Sequence, residues 1–312
     1  MVATALVAVT SGACSVLFAT TKEQCATDGD CTARGAGFES SRCSASLCVA
    51  PQLVTGDASP DGADAATDPF ACANLPAPSP DPSKRLDMSM RYTDFSTGMP
   101  PENTIVRLCA ATDPNCENAR TSLIGGGPGD AGPEGGTGWF KTNTDGTVAT
   151  KIELGFEGFF EARAVQYPAT FRSTSPALRN PKNEFDQLLL RPAEIKFLAD
   201  ELLGKPGSYE SSGHGLVFVF ARDCNQQPVG GASFTTTATD PIMKGFYVIN
   251  SAPSVMDTKS DSLGRGGFLN VPPGIHTFSA FYGDGDQKKR IGSGRVLVRA
   301  GAATTIAVAP SQ

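Results

Sequence analysis

Leu86, Met88, Met90 and Tyr92 alternate with Asp87, Ser89, Arg91 and Thr93. A period of two is what an extended strand turns into one apolar face and one wet face, and no helix can use it. Val148, Thr150, Ile152 and Leu154 repeat the pattern, and residues 105–110 and 159–165 are further strand candidates. Residues 216–221 form a nearly unbroken apolar run, as expected of a strand covered on both faces. With 34 glycines and 23 prolines among 312 residues, turns are too frequent for long helices. The chain is therefore expected to be mainly β.

One stretch, 183–203, carries helical signals. Pro192 precedes Ile195, Leu198, Leu202 and Leu203, and Gly204-Lys205-Pro206 stops the pattern. A helix there either packs as a spacer on one β body or docks a partner helix. Trp139 and the residues up to Thr144 lead into Asp145-Gly146, a dipeptide expected to close a hairpin with the strand that follows. Ile124 to Gly138 is Gly-rich but lacks the lysine and the following helix of a phosphate-cradling loop, so it is a surface loop.

The N-terminus gives an address. Cys14 closes Ser11-Gly12-Ala13-Cys14 after twelve small or apolar residues without a charge. This resembles the lipobox of bacterial lipoproteins. Ser11 departs from the usual leucine, and no basic residue precedes the run, whereas signal peptides carry a basic start. An ordinary signal peptide or an exposed N-terminus are the alternatives. The run is too short for a membrane span, which takes roughly 20 apolar residues. The resemblance implies a lipid on Cys14 and a place at the outer membrane, on the periplasmic face or the cell surface.

Nine cysteines fit that address. With Cys14 lipidated, an even number remains to pair in an oxidising compartment. Cys25, Cys31, Cys43 and Cys48 lie in a segment with little apolar bulk, which two internal disulfides would have to hold. That cluster is similar to short cysteine modules placed after the lipid anchor in exported Gram-negative proteins. Cys109 and Cys116 flank the turn sequence Asp113-Pro114-Asn115 and are expected to pair. Cys224 stands alone in its region, and Cys72 is the partner assigned to it. No C-x-x-C spacing occurs, so a zinc site is not expected.

Residues 51–84 are a linker by composition, with Pro51, Pro60, Pro69, Pro76, Pro78, Pro80 and Pro82 among Ala, Ser and Asp. Such a chain extends and can reach roughly 100 Å. Cys72 interrupts it, so its second half is expected to be stapled to a folded body.

Near the C-terminus, Asp261, Gly264, Gly267-Phe268, Val271-Pro272-Pro273-Gly274-Ile275, Phe278 and Ala280 resemble the carboxypeptidase regulatory-like and transthyretin-like sandwich repeat. Val296, Val298, Ala300-Gly301, Thr304-Thr305, Ile306 and Val308 extend the likeness as an expected hairpin at Gly301, while His276 departs from the family's aromatic. The resemblance implies antiparallel β-sandwiches of the immunoglobulin or transthyretin kind. The expected layout is a signal segment (1–13), a lipid-anchored cysteine-rich segment (14–50), the disordered linker (51–84), a first sandwich (85–172), a connector with a short helix (173–212) and a second sandwich (213–310).

Catalytic chemistry is sparse. His214 and His276 are the two histidines. Ser211-Ser212-Gly213-His214 is the nearest approach to a serine nucleophile with its base, and the G-x-S-x-G and H-E-x-x-H patterns are missing. Asp28-Gly29-Asp30 is taken as a turn, and Asp284 and Asp286 are either turn residues or calcium ligands. No catalytic residue, cofactor or metal site is assigned. A net charge of −6 offers nothing to a phosphate backbone, so nucleic acid is not a partner. The expected function is a non-catalytic envelope lipoprotein whose sandwiches serve adhesion, assembly or partner binding. The alternative is a carbohydrate-binding accessory protein using Trp139 as a platform, although a strand-borne tryptophan is more often core. The partners are then the membrane, through the anchor, and an envelope protein or a glycan.

Overall fold

The computed structural model describes residues 27–32, 42–44, 47–49, 69–74, 78–119, 123–124, 138–174, 182–205, 207–250 and 252–310. Cys14 and Cys25 lie outside them, as does most of the linker. Contacts divide the chain into two units, Met1–Thr67 with Asn250–Ala252, and Asp68–Ile249 with Pro253–Gln312.

The first unit contains one helical turn, α1 (Asp28–Thr32), where a plain turn was expected. The Asp30 carboxylate accepts the Thr27 backbone N–H at 2.8 Å. It also contains a small hairpin of β1 (Arg42–Ser44) and β2 (Leu47–Val49), whose register sets Cys43 opposite Cys48. Cys31 lies in α1.

The second unit holds the rest of the strands. They are β3 (Asp81–Asp94), β4 (Ile105–Ala110), β5 (Leu123–Ile124), β6 (Phe140–Lys141), β7 (Thr147–Leu154), β8 (Gly158–Arg163), β9 (Thr170–Ser173) and β10 (Lys182–Leu189). After α2 (Pro192–Leu203) come β11 (Gly215–Ala221), β12 (Ser233–Thr236), β13 (Lys244–Ile249), β14 (Ala252–Ser254), β15 (Arg265–Val271), β16 (Gly274–Tyr282), β17 (Lys289–Val298) and β18 (Ala303–Val308). They form a nine-stranded sheet, β14-β13-β15-β11-β18-β9-β8-β4-β6, a four-stranded sheet, β10-β3-β7-β5, and a three-stranded sheet, β12-β16-β17.

The alternation in β3 works as the sequence demands. Leu86, Met88, Met90 and Tyr92 are buried in one core with Val106, Leu108, Phe160, Val148 and Ile152. On the opposite face Lys151 pairs with Asp87 at 3.0 Å and Arg85 with Glu153 at 3.2 Å, a lattice of charges in water. Such exposed pairs contribute little stability, so apolar burial by the other face carries this sheet.

β11 is covered on both sides. Val217, Val219 and Ala221 pack with Phe278, Val296 and Ile306 towards the three-stranded sheet. Leu216 and Phe218 face the other way, onto Ile195, Ala199 and Leu202 of α2. The helix is thus a lid on β11, β13 and β15, with Gly204 in the left-handed region at φ 62° ending it.

Five expectations change. Residues 182–189 are a strand, not the start of the helix. Asn183, Gln187 and Leu189 point inwards at alternate positions, and β10 pairs in parallel with β3. The Asp145-Gly146 turn closes locally, Gly146 N–H donating to Asn143 O at 2.9 Å. It makes no hairpin, because β6 pairs with β4 and β7 with β3. The Gly301 turn, at φ 68°, likewise carries the chain between sheets, since β17 pairs with β16 and β18 with β11 and β9. The Pro272-Pro273 link does the same between β15 and β16. Finally, the pairs β3–β10, β11–β18 and β9–β18 are parallel where antiparallel pairing was expected. The segments expected as two sandwiches share the nine-stranded sheet, the second supplying the three-stranded one and the first, with β10 of the expected connector, the four-stranded one.

Asn270 joins three segments. It sits at φ 52° where the β11–β15 ladder shifts register, a left-handed position that asparagine tolerates better than most residues. Its buried amide accepts the Glu210 N–H at 3.0 Å and donates to Ser208 O at 3.0 Å and Ile242 O at 3.2 Å. Asn270→Ala is expected to lower stability by roughly 2–4 kcal/mol in urea titrations. Asn270→Asp, which turns two donations into repulsions, is expected to be no milder.

Candidate functional site

The connector that precedes the body is held covalently. Cys72 bonds to Cys224, 152 residues away, with a Cα–Cα separation of 5.8 Å. The Cys224 N–H donates to Pro69 O at 3.0 Å. Phe70 packs onto the core between β11 and the three-stranded sheet and meets Tyr282 at a ring separation of 5.6 Å. This is the pairing expected from cysteine parity, and residues 69–74 are stapled as the sequence suggested.

The second disulfide, Cys109–Cys116, closes the Asp113-Pro114 turn over the face of β4 and β8. Asp113 organises the loop by accepting the N–H groups of Glu117 and Asn118, and Arg299 reaches across to Pro114 O at 2.5 Å. On the same face, the β4–β8 register sets Arg107 beside Glu161. Glu161 is 0 % exposed and fully engaged. Its Oε2 accepts Arg107 Nε and Nη2 at 2.8 and 2.6 Å. Its Oε1 accepts Arg163 Nε at 2.9 Å.

Both guanidiniums lie against Trp139, at 4.6 and 5.3 Å from the ring centroid. Trp139 is 5 % exposed, so its ring is a packing surface for arginines and offers no flat platform to a sugar. Glu161 has no free lone pair for a reacting proton, which makes the cluster a buried ion network.

The other residues singled out in the sequence are not brought together. The Ser212 hydroxyl donates to Glu210 while His214 Nε2 meets Asp240 at 3.2 Å, so serine and histidine turn to different carboxylates. The backbone N–H of Ile242, followed by His214, holds the Asp240 carboxyl below its usual range. His276 donates Nε2–H to Pro272 O at 2.9 Å and braces the Pro-Pro-Gly link. Asp284 is paired with Lys259, and Asp286 lies in an exposed 3-10 turn. Among the described residues no three His, Cys, Asp or Glu side chains gather as metal ligands.

A further polar cluster went unforeseen. Asp94, at the end of β3, accepts the Tyr167 hydroxyl, Thr97 N–H at 2.7 Å and Arg191 Nη2 at 3.0 Å. Glu194 closes a capping box by accepting Arg191 N–H at 2.6 Å and also accepts Ser96. Arg191-Pro192-Ala193-Glu194 was the visible half of this joint, since an acid three residues into a helix signals a box. Burial pushes the Asp94 carboxyl up, but Tyr167, Thr97 and Arg191 outweigh it and hold the pKa low. Burial raises that of Glu194.

The class these features define is a mainly β protein pinned by disulfides, with Glu161 and Asp94 held in structural networks. The sequence matches no protein-family model and no curated relative. Among solved structures, the chain is similar to the TIE protein of Bacillus anthracis (10 % identity, TM-score 0.23, 72 % of this chain and 34 % of that one). It is similar to a streptococcal ancillary pilin (12 %, 0.23, 74 % and 64 %) and to the shaft pilin SpaA of Lactobacillus rhamnosus GG (8 %, 0.22, 72 % and 98 %). The chain thus spans about a third of the first and 64 % of the second. Likeness at this level decides nothing about the present chain.

Two outcomes follow. Asp94 has a lowered pKa in the folded state, so its contribution is present above the ordinary carboxylate value near 3.9 and is lost as pH falls through the folded value. Asp94→Asn is expected to cost roughly 1–3 kcal/mol at pH 7, with the deficit shrinking in melts below about pH 3. Replacing Cys72 and Cys224 together by Ser is expected to cost roughly 2–4 kcal/mol. Limited proteolysis of that variant should cut first within residues 69–80.

Proposed function

We propose that this is an exported, non-catalytic envelope protein, tethered by a lipid on Cys14 and presenting its β body for adhesion, assembly or partner binding. The observation that carries this reading is the Cys72–Cys224 bond, which fixes the end of a Pro- and Asp-rich tether to the body. Disulfides belong to oxidising compartments, and a long tether ending in a covalent staple suits a domain held off a surface. Among the described residues no helix is long and apolar enough to cross a membrane, which leaves attachment to the N-terminal cysteine in this reading. The saturated Glu161 and the separated Ser212 and His214 supply no nucleophile with its base. The enclosed Trp139 weighs against the carbohydrate-binding alternative.

Mass spectrometry of the protein from its native cells is expected to find a mature N-terminus at Cys14 carrying a diacylglycerol and to find Cys72 and Cys224 oxidised. An unprocessed Met1 with free thiols would refute the proposal. Cross-linking on intact cells is expected to capture an envelope protein, and its identity then separates adhesion from assembly.

A further inference from the structure

Where the four-stranded sheet meets the nine-stranded one, positive charge is buried without a counterion. Arg172 in β9 is 8 % exposed. Its guanidinium lies 4.9 Å from the Phe185 ring centroid, and among the described residues no hydrogen-bond acceptor reaches it. Register puts Arg172 next to Thr305 of β18 in one sheet and Tyr92 next to Gln187 in the facing sheet. Gln187 Nε2 bridges the two by donating to Thr305 Oγ1 at 3.1 Å. With that oxygen accepting, the Thr305 O–H remains free to donate. The Tyr92 hydroxyl is fully buried and has no partner. A second guanidinium, Arg222, repels Arg172 but is itself provided for, donating to Gln226 O at 3.4 Å and drawn to Asp223.

Burial first, and Arg222 second, lower the Arg172 pKa to about 10. A buried guanidinium without an acceptor, beside an unpartnered hydroxyl donor, is costly unless something negative enters. The opposite case is present in the same molecule, where Arg107 and Arg163 are matched by Glu161.

We propose that Arg172, with the hydroxyls of Tyr92 and Thr305, forms an internal binding site for one small monovalent anion, of the halide class. The anion supplies the countercharge that this junction lacks and accepts the hydroxyl donors. Gln187 Oε1 is buried and unpartnered as well. It is an acceptor, so a water bridging it to the anion completes the set. The site would tie the halves of the body together by binding only the folded state.

The test uses the full chain and bromide. Thermal melts at constant ionic strength, exchanging bulky gluconate for bromide, are expected to show a saturable rise in Tm for the unaltered protein. The dependence is expected to vanish in Arg172→Met, and in Tyr92→Phe the apparent affinity should fall roughly tenfold. Crystals soaked in bromide are expected to show an anomalous peak within hydrogen-bond reach of the Arg172 guanidinium. The proposal is overturned if bromide raises Tm equally in all three proteins, or if only water occupies the junction. Should Arg172→Met not fold, Tyr92→Phe decides alone, since it removes a single oxygen.

Discussion

Thr170–Ser173 lies in parallel register against Ala303–Ile306, and through these four residues the two halves of the body become one sheet. β8 and β4 continue it on one side and β11 and β15 on the other. Without this pairing, each half would expose an edge of unpaired N–H and C=O groups, an invitation to aggregation. The pairing also fixes what faces what. It sets Phe171 beside Thr304 and Arg172 beside Thr305, so one face continues the core under the three-stranded sheet while the other carries a cation into the junction.

Buried charge is treated in three ways in this molecule. Glu161 is matched donor for acceptor by two arginines and roofed by Trp139. Asp94 collects a hydroxyl, a backbone N–H and a guanidinium from three separate elements. Arg172 is left to an aromatic face. The first two are complete within the chain, which is why they function as joints. A buried network gives geometric definition when every member is satisfied and costs stability when one is not.

Much of this could be seen in the sequence wherever the signal was local. The alternation at Leu86–Tyr92 reports a strand with one wet face, and Leu216 to Ala221 a strand with none, because burial acts on each residue in turn. Pro192 and Gly204 bracket the helix through their own backbone preferences. Cys72 could be matched to Cys224 by parity, without knowledge of the fold. What escaped was non-local. Asp145-Gly146 and Gly301 form tight turns as their chemistry requires, but a turn does not say whether the strands beyond it stay paired. Asn183, Gln187 and Leu189 alternate correctly, yet two of the three inward residues are polar, and their partners, Asp87 O for Asn183 and Thr305 for Gln187, lie on other strands. Asp94 carries no local signal, because Tyr167 and Arg191 reach it only in three dimensions.

The Cys72–Cys224 bond encloses every strand from β3 to β11 in a closed loop of chain. A pull applied to the chain just before Cys72 therefore passes straight through sulfur into the turn after β11, within the largest sheet. Residues 73–223 are left slack. The first half is bypassed by such a pull, and a reducing agent would put it in the path.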